Sequence, residues 1–151
     1  MDVIIGIGNR LRGDDGVGPH VVDALMPRSD LETMTVHQLV PELSEQIHAA
    51  ERVLFVDACI DRDAIALTPI APSEHRGLGH ACAPGALLSW TQLVFGEIPD
   101  AWLLRIPGAD FDLGERLSQR TQRLLPDALD RIEQWIATCP EPAGSRSEEE
   151  A

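Results

Sequence analysis

The chain has 151 residues and 16.5 kDa, 44% apolar and 25% charged, which is material for one globular domain with its own core. Twelve basic residues, all Arg, face twenty-five acidic ones, for a formal charge of -13; so acidic a surface repels phosphate backbones and anionic lipid and argues against nucleic-acid and membrane partners. No apolar run approaches the roughly 18–20 residues of a membrane span, and Met1-Asp2-Val3-Ile4-Ile5 is too short and too acidic for a secretory signal.

Taken in chain order, Val3 to Ile7 is a short apolar run that stops in glycines and reads as a buried parallel strand. Gly16 to Met26, with Val17, Val21, Val22 and Leu25, predicts a helix ending near Pro27. Met34 to Val40 alternates and predicts a second strand. Pro41 to Ala50 predicts a helix with Pro in its first turn. Arg52 to Asp57 is the clearest buried strand, and Ala64 to Ile70 a weaker one at an edge, since it ends in Pro69. A loop rich in Gly and His (Ser73 to Cys82) leads to a helix over Pro84 to Phe95. A further strand spans Ala101 to Ile106. Leu113 to Thr138 is amphipathic with Pro126 inside it, so it predicts one kinked helix or two.

The order β-α-β-α-β-β-α-β-α predicts an α/β fold in three layers, with a mostly parallel sheet of about five strands between helices. Residues 1–139 read as a single domain. Residues 140–151, with Pro140, Pro142 and Glu148-Glu149-Glu150, read as an acidic, disordered tail. Cys59, Cys82 and Cys139 are odd in number with no close pair, which suits reduced thiols in the cytoplasm and neither a disulfide frame nor a structural zinc site.

In open α/β sheets ligands gather outside the carboxyl ends of the strands. That rule selects the segment Gly6 to Gly18 after the first strand and Asp57 at the end of the third. Gly6-x-Gly8 opens like a dinucleotide-binding turn, but Leu11 stands where the third glycine belongs, and Asp14 and Asp15 sit where phosphate needs donors. The plain alternative for one of these acids is a helix cap. Asp57 has an equally plain alternative as a strand-end carboxylate bonded to a nearby loop. Two such acids brought together share a proton, activate water or bind a cation. Of five histidines, His20 and His48 fall in helices and His37 in a strand. His75 and His80 fall in the glycine-rich loop, the one best able to reach over a site, and local chemistry does not choose between them. Two acids and a histidine would suit nickel or zinc.

The run Gly6-Ile7-Gly8-Asn9-x-Leu11-x-Gly13-Asp14-Asp15-Gly16-x-Gly18 resembles the N-terminal signature of the hydrogenase maturation proteases. Pro41-Glu42-Leu43, Phe55-Val56-Asp57-Ala58, His80 ahead of the Pro84 helix, and Leu113 to Ser118 follow in the order that family has them, so the likeness covers nearly all but the tail. It implies a twisted five-stranded sheet between helices. It also implies a cytoplasmic endopeptidase that removes a short C-terminal peptide from the large-subunit precursor of a nickel–iron hydrogenase once nickel is in place. Nickel then belongs to the substrate, and the enzyme holds no tightly bound cofactor. Carried over position by position, Asp15, Asp57 and His80 are the nickel contacts, with Asp15 and Asp57 as catalytic acids and Asp14 as a weaker candidate. The chain departs from the family at Ile106-Pro107-Gly108, where an Ile-Gln-Pro-like turn is common, and at Ala81 after His80, so His75 stays a rival to His80. A monomer is expected. A nickel-binding assembly factor without activity and a nucleotide-binding module are the competing readings.

Overall fold

The computed structural model describes residues 1–73 and 82–138. The first apolar run is β1 (Asp2–Ile7), buried from Val3 on. A 3-10 turn, Gly13–Gly16, leads into α1 (Val17–Asp23), and β2 (Leu31–Val36) follows. A second 3-10 turn, Pro41–Leu43, opens α2 (Ser44–Ala49), which precedes β3 (Arg52–Cys59). Then come β4 (Ala66–Pro69), α3 (Pro84–Phe95), β5 (Asp100–Pro107) and α4 (Gln119–Ala137). The strands lie in the order β2-β1-β3-β5-β4, all parallel except β4, which runs antiparallel to β5 at the edge.

Alternation along the strands divides the core in two. Val3, Ile5, Val53, Phe55 and Leu103 face α2 and α3, packing with Ile47, Leu87 and Leu88. Ile4, Leu54, Val56, Leu104 and Ile106 face α1 and α4, packing with Val21, Ala128, Ile132 and Trp135. This is the expected three-layer α/β/α arrangement. The chain steps from β1 outward to β2, then back across β1 to β3. The strand order therefore reverses between β1 and β3, and their carboxyl ends open a crevice there.

The element bounds differ most from the sequence reading in the second strand, the two early helices and the last helix. The second strand runs over Leu31–Val36, not 34–40, because its register on β1 begins at Asp2 opposite Leu31. The chain then leaves the sheet, and Leu39 turns into the core beside α2 and α3. Both early helices are shorter than their apolar patterns, each entered through a 3-10 turn. The last helix starts at Gln119, not near Leu113, and is a single element. Ser118 caps it by accepting from the Thr121 N–H. Pro126 is exposed, and the Gln122 carbonyl that it leaves without a helical donor belongs to an exposed residue.

At the amino edge of the sheet Arg52 is buried. Its guanidinium donates to Asp2 (3.1 Å from Nε) and to the carbonyls of Trp135 and Thr138 (both 2.8 Å), and it lies 4.0 Å over the Trp135 ring. It ties the last carbonyls of α4 to the start of β1 and β3, where a helix end favours a cation.

Candidate active site at the carboxyl ends of β1 and β3

The glycines of the first motif serve the chain's own packing. A Cβ on Gly18 would stand 2.4 Å from the Val56 carbonyl oxygen and 2.7 Å from that of Ile7, so only glycine lets α1 start directly against the ends of β1 and β3. Gly8, at φ +149°, is pressed on the Asp15 backbone, where a Cβ would meet the carbonyl oxygen at 1.8 Å. The loop from Asn9 to Asp15 is closed within itself: the Asn9 N–H donates to Asp15 Oδ2 (2.7 Å) and the Asp15 N–H to the Arg12 carbonyl (3.1 Å).

The two adjacent acids have opposite fates. Asp14 is fully buried and accepts from the N–H groups of Ala109 (2.7 Å), Asp110 (2.9 Å) and Ser118 (2.7 Å) and from the Ser118 hydroxyl (2.7 Å). Burial pushes its carboxyl up, but these donors outweigh it and hold the group below its ordinary value. Asp14 is a clamp between the first loop and the β5–α4 connection. Asp15 is only partly buried, and its one side-chain hydrogen bond among the described residues is from the Asn9 N–H. Neither acid caps α1, whose N-cap is Gly16 with no side-chain bond, so the plain helix-cap alternative does not hold.

Asp57 lies near the end of β3, on the face turned toward α3, in register with Arg105 of β5. Burial is the main reason its carboxyl is pushed up to about 6; the negative charge of Asp15 adds to it, while the Ala58 N–H (2.9 Å) and Arg105 oppose. The structure thus brings Asp15 and Asp57 within electrostatic reach of each other, with no ion pair to either one among the described residues. Two half-buried carboxylates that repel one another at a strand-order reversal favour a proton or a cation between them. Arg105 was not singled out from sequence; its one signal is its place near the end of a buried strand.

His75 and His80 lie outside the described residues. Cys82, two positions after His80, packs in the core shared by α2 and α3 and donates its N–H to the Leu39 carbonyl (3.2 Å). His48 stacks on Phe95 with centroids 4.4 Å apart, a packing role. His37 lies one residue beyond β2, is exposed, and lines a shallow cleft of about 220 Å³ with Gly8, Arg10 and Thr35. Among the described residues no group of three His, Cys, Asp or Glu is close enough to hold a metal ion. No described helix is long and apolar enough to cross a membrane.

Solved structures share this architecture across almost the whole chain. The hydrogenase maturating endopeptidase HybD of E. coli matches with a TM-score of 0.74 at 15% identity, over 89% of this chain and 91% of that one. The chain has the fold of the hydrogenase maturation proteases. The [NiFe] hydrogenase maturation protease HybD of Thermococcus kodakarensis matches at 0.70 and 20% identity, over 89% and 97%. The [NiFe] hydrogenase maturation protease HycI of Thermococcus kodakarensis KOD1 matches at 0.62 and 25% identity, over 90% and 89%. No protein-family model matches the sequence, and no curated protein matches it. The maturation-protease fold presents Asp15 and Asp57 at the crevice where an open α/β sheet binds its ligand.

Proposed function

We propose that the protein is an endopeptidase that removes a C-terminal peptide from the nickel-loaded large-subunit precursor of a nickel–iron hydrogenase. The observation that carries this reading is the pair Asp15 and Asp57, with the charge of Asp15 bearing on Asp57 and no ion pair to either among the described residues, at the β1/β3 crevice of a maturation-protease fold. Nickel arrives with the substrate and docks against Asp15, Asp57 and His80, relieving the repulsion between the acids. An unmetallated precursor brings no cation, so the acids select for finished metal insertion. Docking fixes the scissile bond beside a carboxylate that accepts a proton from the attacking water. The enzyme works in the cytoplasm as a monomer and holds no tightly bound metal of its own.

The test is incubation of the purified protein with nickel-loaded and nickel-free precursor, followed by intact mass of the large subunit. Shortening of the loaded form alone is expected. A loaded precursor that stays full-length would contradict the reading, and equal cleavage of both forms would contradict recognition through nickel. His80→Ala is expected to weaken docking and slow cleavage, while His75→Ala behaves as wild type; the reverse pattern, read by the same mass measurement, would transfer the role to His75.

A further inference from the structure

The acids are not the only charges at the carboxyl edge of the sheet. β3 and β5 run in parallel register with Asp57 opposite Arg105, and on the other side of β5 the edge strand β4 sets Ala66 opposite Arg105. Residues directly opposite on neighbouring strands, whose backbones lie about 4.8 Å apart, put their side chains on one face. Two residues earlier the same face is seen directly: Phe55 and Leu103, also opposite each other, pack in the core under α2 and α3. A row of Asp57, Arg105 and Ala66 therefore crosses this end of the sheet, and the methyl of Ala66 offers the guanidinium no acceptor. Among the described residues, five arginines have a carboxylate partner. Of those without one, Arg12, Arg62, Arg116 and Arg123 are exposed, and only Arg105 is half-buried. Its charge reaches the site, where it opposes the burial that pushes up the Asp57 carboxyl and the Cys59 thiol.

We propose that Arg105 is a catalytic residue of the peptidase, its guanidinium donating to the carbonyl oxygen of the scissile peptide bond and holding the negative charge that forms there. The proposal rests on the peptidase reading and adds to it the group that faces the acids. In the step, the oxygen of water bonds to the carbonyl carbon while its proton passes to a carboxylate of the Asp15/Asp57 pair, and the carbonyl π electrons move onto oxygen. When the carbonyl re-forms, the C–N bond breaks and the amine leaves with the proton returned by the carboxyl. Two carboxylates alone oppose a third negative charge beside them. A fixed cation one strand away offsets them where that charge develops. Arg105 keeps its own protons throughout, because a guanidinium does not deprotonate in proteins, and its planar fork of donors suits an oxygen that gains charge.

The test measures binding of nickel-loaded large-subunit precursor to immobilised protein, and the rate of shortening at saturating precursor, for wild type, Arg105→Met and Arg105→Lys, each checked by circular dichroism. Met keeps the length of the stem without charge or donors, and Lys keeps the charge without the fork. Arg105→Met is expected to lower the saturated rate about a hundredfold to a thousandfold, the worth of one oxyanion donor, with affinity within about threefold of wild type. Arg105→Lys should fall between the two, and it carries the test alone if Arg105→Met does not fold. Saturated rates equal to wild type in the folded variants would overturn the proposal, as would weakened binding with the saturated rate intact. An Arg105→Met rate that returns to the wild-type value when the pH is raised to about 8 would also overturn it, because Arg105 would then act only by keeping Asp57 ionised. Failure of the peptidase reading shows elsewhere: the wild type itself would leave the precursor full-length, and the assignment of Arg105 would fall with it.

Discussion

The two ends of one sheet treat charge in opposite ways. At the amino edge, buried Arg52 is met by Asp2, by the final carbonyls of α4 and by the Trp135 ring, so little of its bonding capacity is left over. At the carboxyl edge, the negative charge of Asp15 adds to the cost of ionising Asp57, and neither acid has an ion-pair partner among the described residues. Satisfied charge holds elements together. Unsatisfied charge, kept in place by a rigid scaffold, is available for a ligand. Asp14 and Asp15 repeat the contrast within two adjacent residues: among the described residues the first spends its oxygens on four donors, the second on one.

The contrast can be broken first at the amino edge. Arg52→Ala leaves Asp2 half-buried and the end of α4 untied, and is expected to cost roughly 3–5 kcal/mol in urea unfolding. Cleavage per folded molecule should be unchanged; a catalytic loss in excess of the folded fraction would contradict the division. Asp14→Ala strands three backbone N–H groups and a hydroxyl, with an expected loss of roughly 2–4 kcal/mol. Because the Asp14 carboxyl is held low, its contribution is present above the ordinary value of 3.8 and fades as pH falls through the lower folded value. A variant as stable as wild type at pH 7 would remove the clamp.

The smallest effect sharpens the other side. The Asp57 carboxyl is raised from 3.8 to about 6, so its ionisation opposes folding. That cost is absent below about pH 4, grows between pH 4 and 6, and is complete above 6, where it reaches up to about 3 kcal/mol by linkage. Asp57→Asn should therefore be more stable than wild type at pH 7 and equal to it near pH 3.5, read from thermal unfolding across that range. A variant less stable at pH 7 would show Asp57 to be a structural carboxylate.

Much of this was legible in sequence for a physical reason. The strands β1 and β3 are buried on both faces, so their apolar runs are continuous and their ends visible, and the strand-end rule then points to Asp15 and Asp57. The edge strand β2 carries mostly exposed or half-exposed residues, and its pattern alone does not fix its start; the register against β1 does. The role of Asp14 was out of reach because its donors, Ala109, Asp110 and Ser118, lie about a hundred positions along the chain, and only Ser118 falls in a segment that periodicity singles out. The glycines of the first motif serve close approach of the chain to itself, with Gly18 against β1 and β3 and Gly8 against Asp15.

The most direct measurement is intact mass of the large subunit after nickel-loaded precursor is incubated with wild type or with Asp57→Asn, the two proteins matched by circular dichroism. Wild type is expected to shorten the precursor and Asp57→Asn to leave it full-length, a loss on the order of a thousandfold in rate, since Asn keeps the shape but neither the charge nor the basicity. Equal shortening by both proteins would contradict the claim that the unsatisfied acids at the carboxyl edge carry the chemistry.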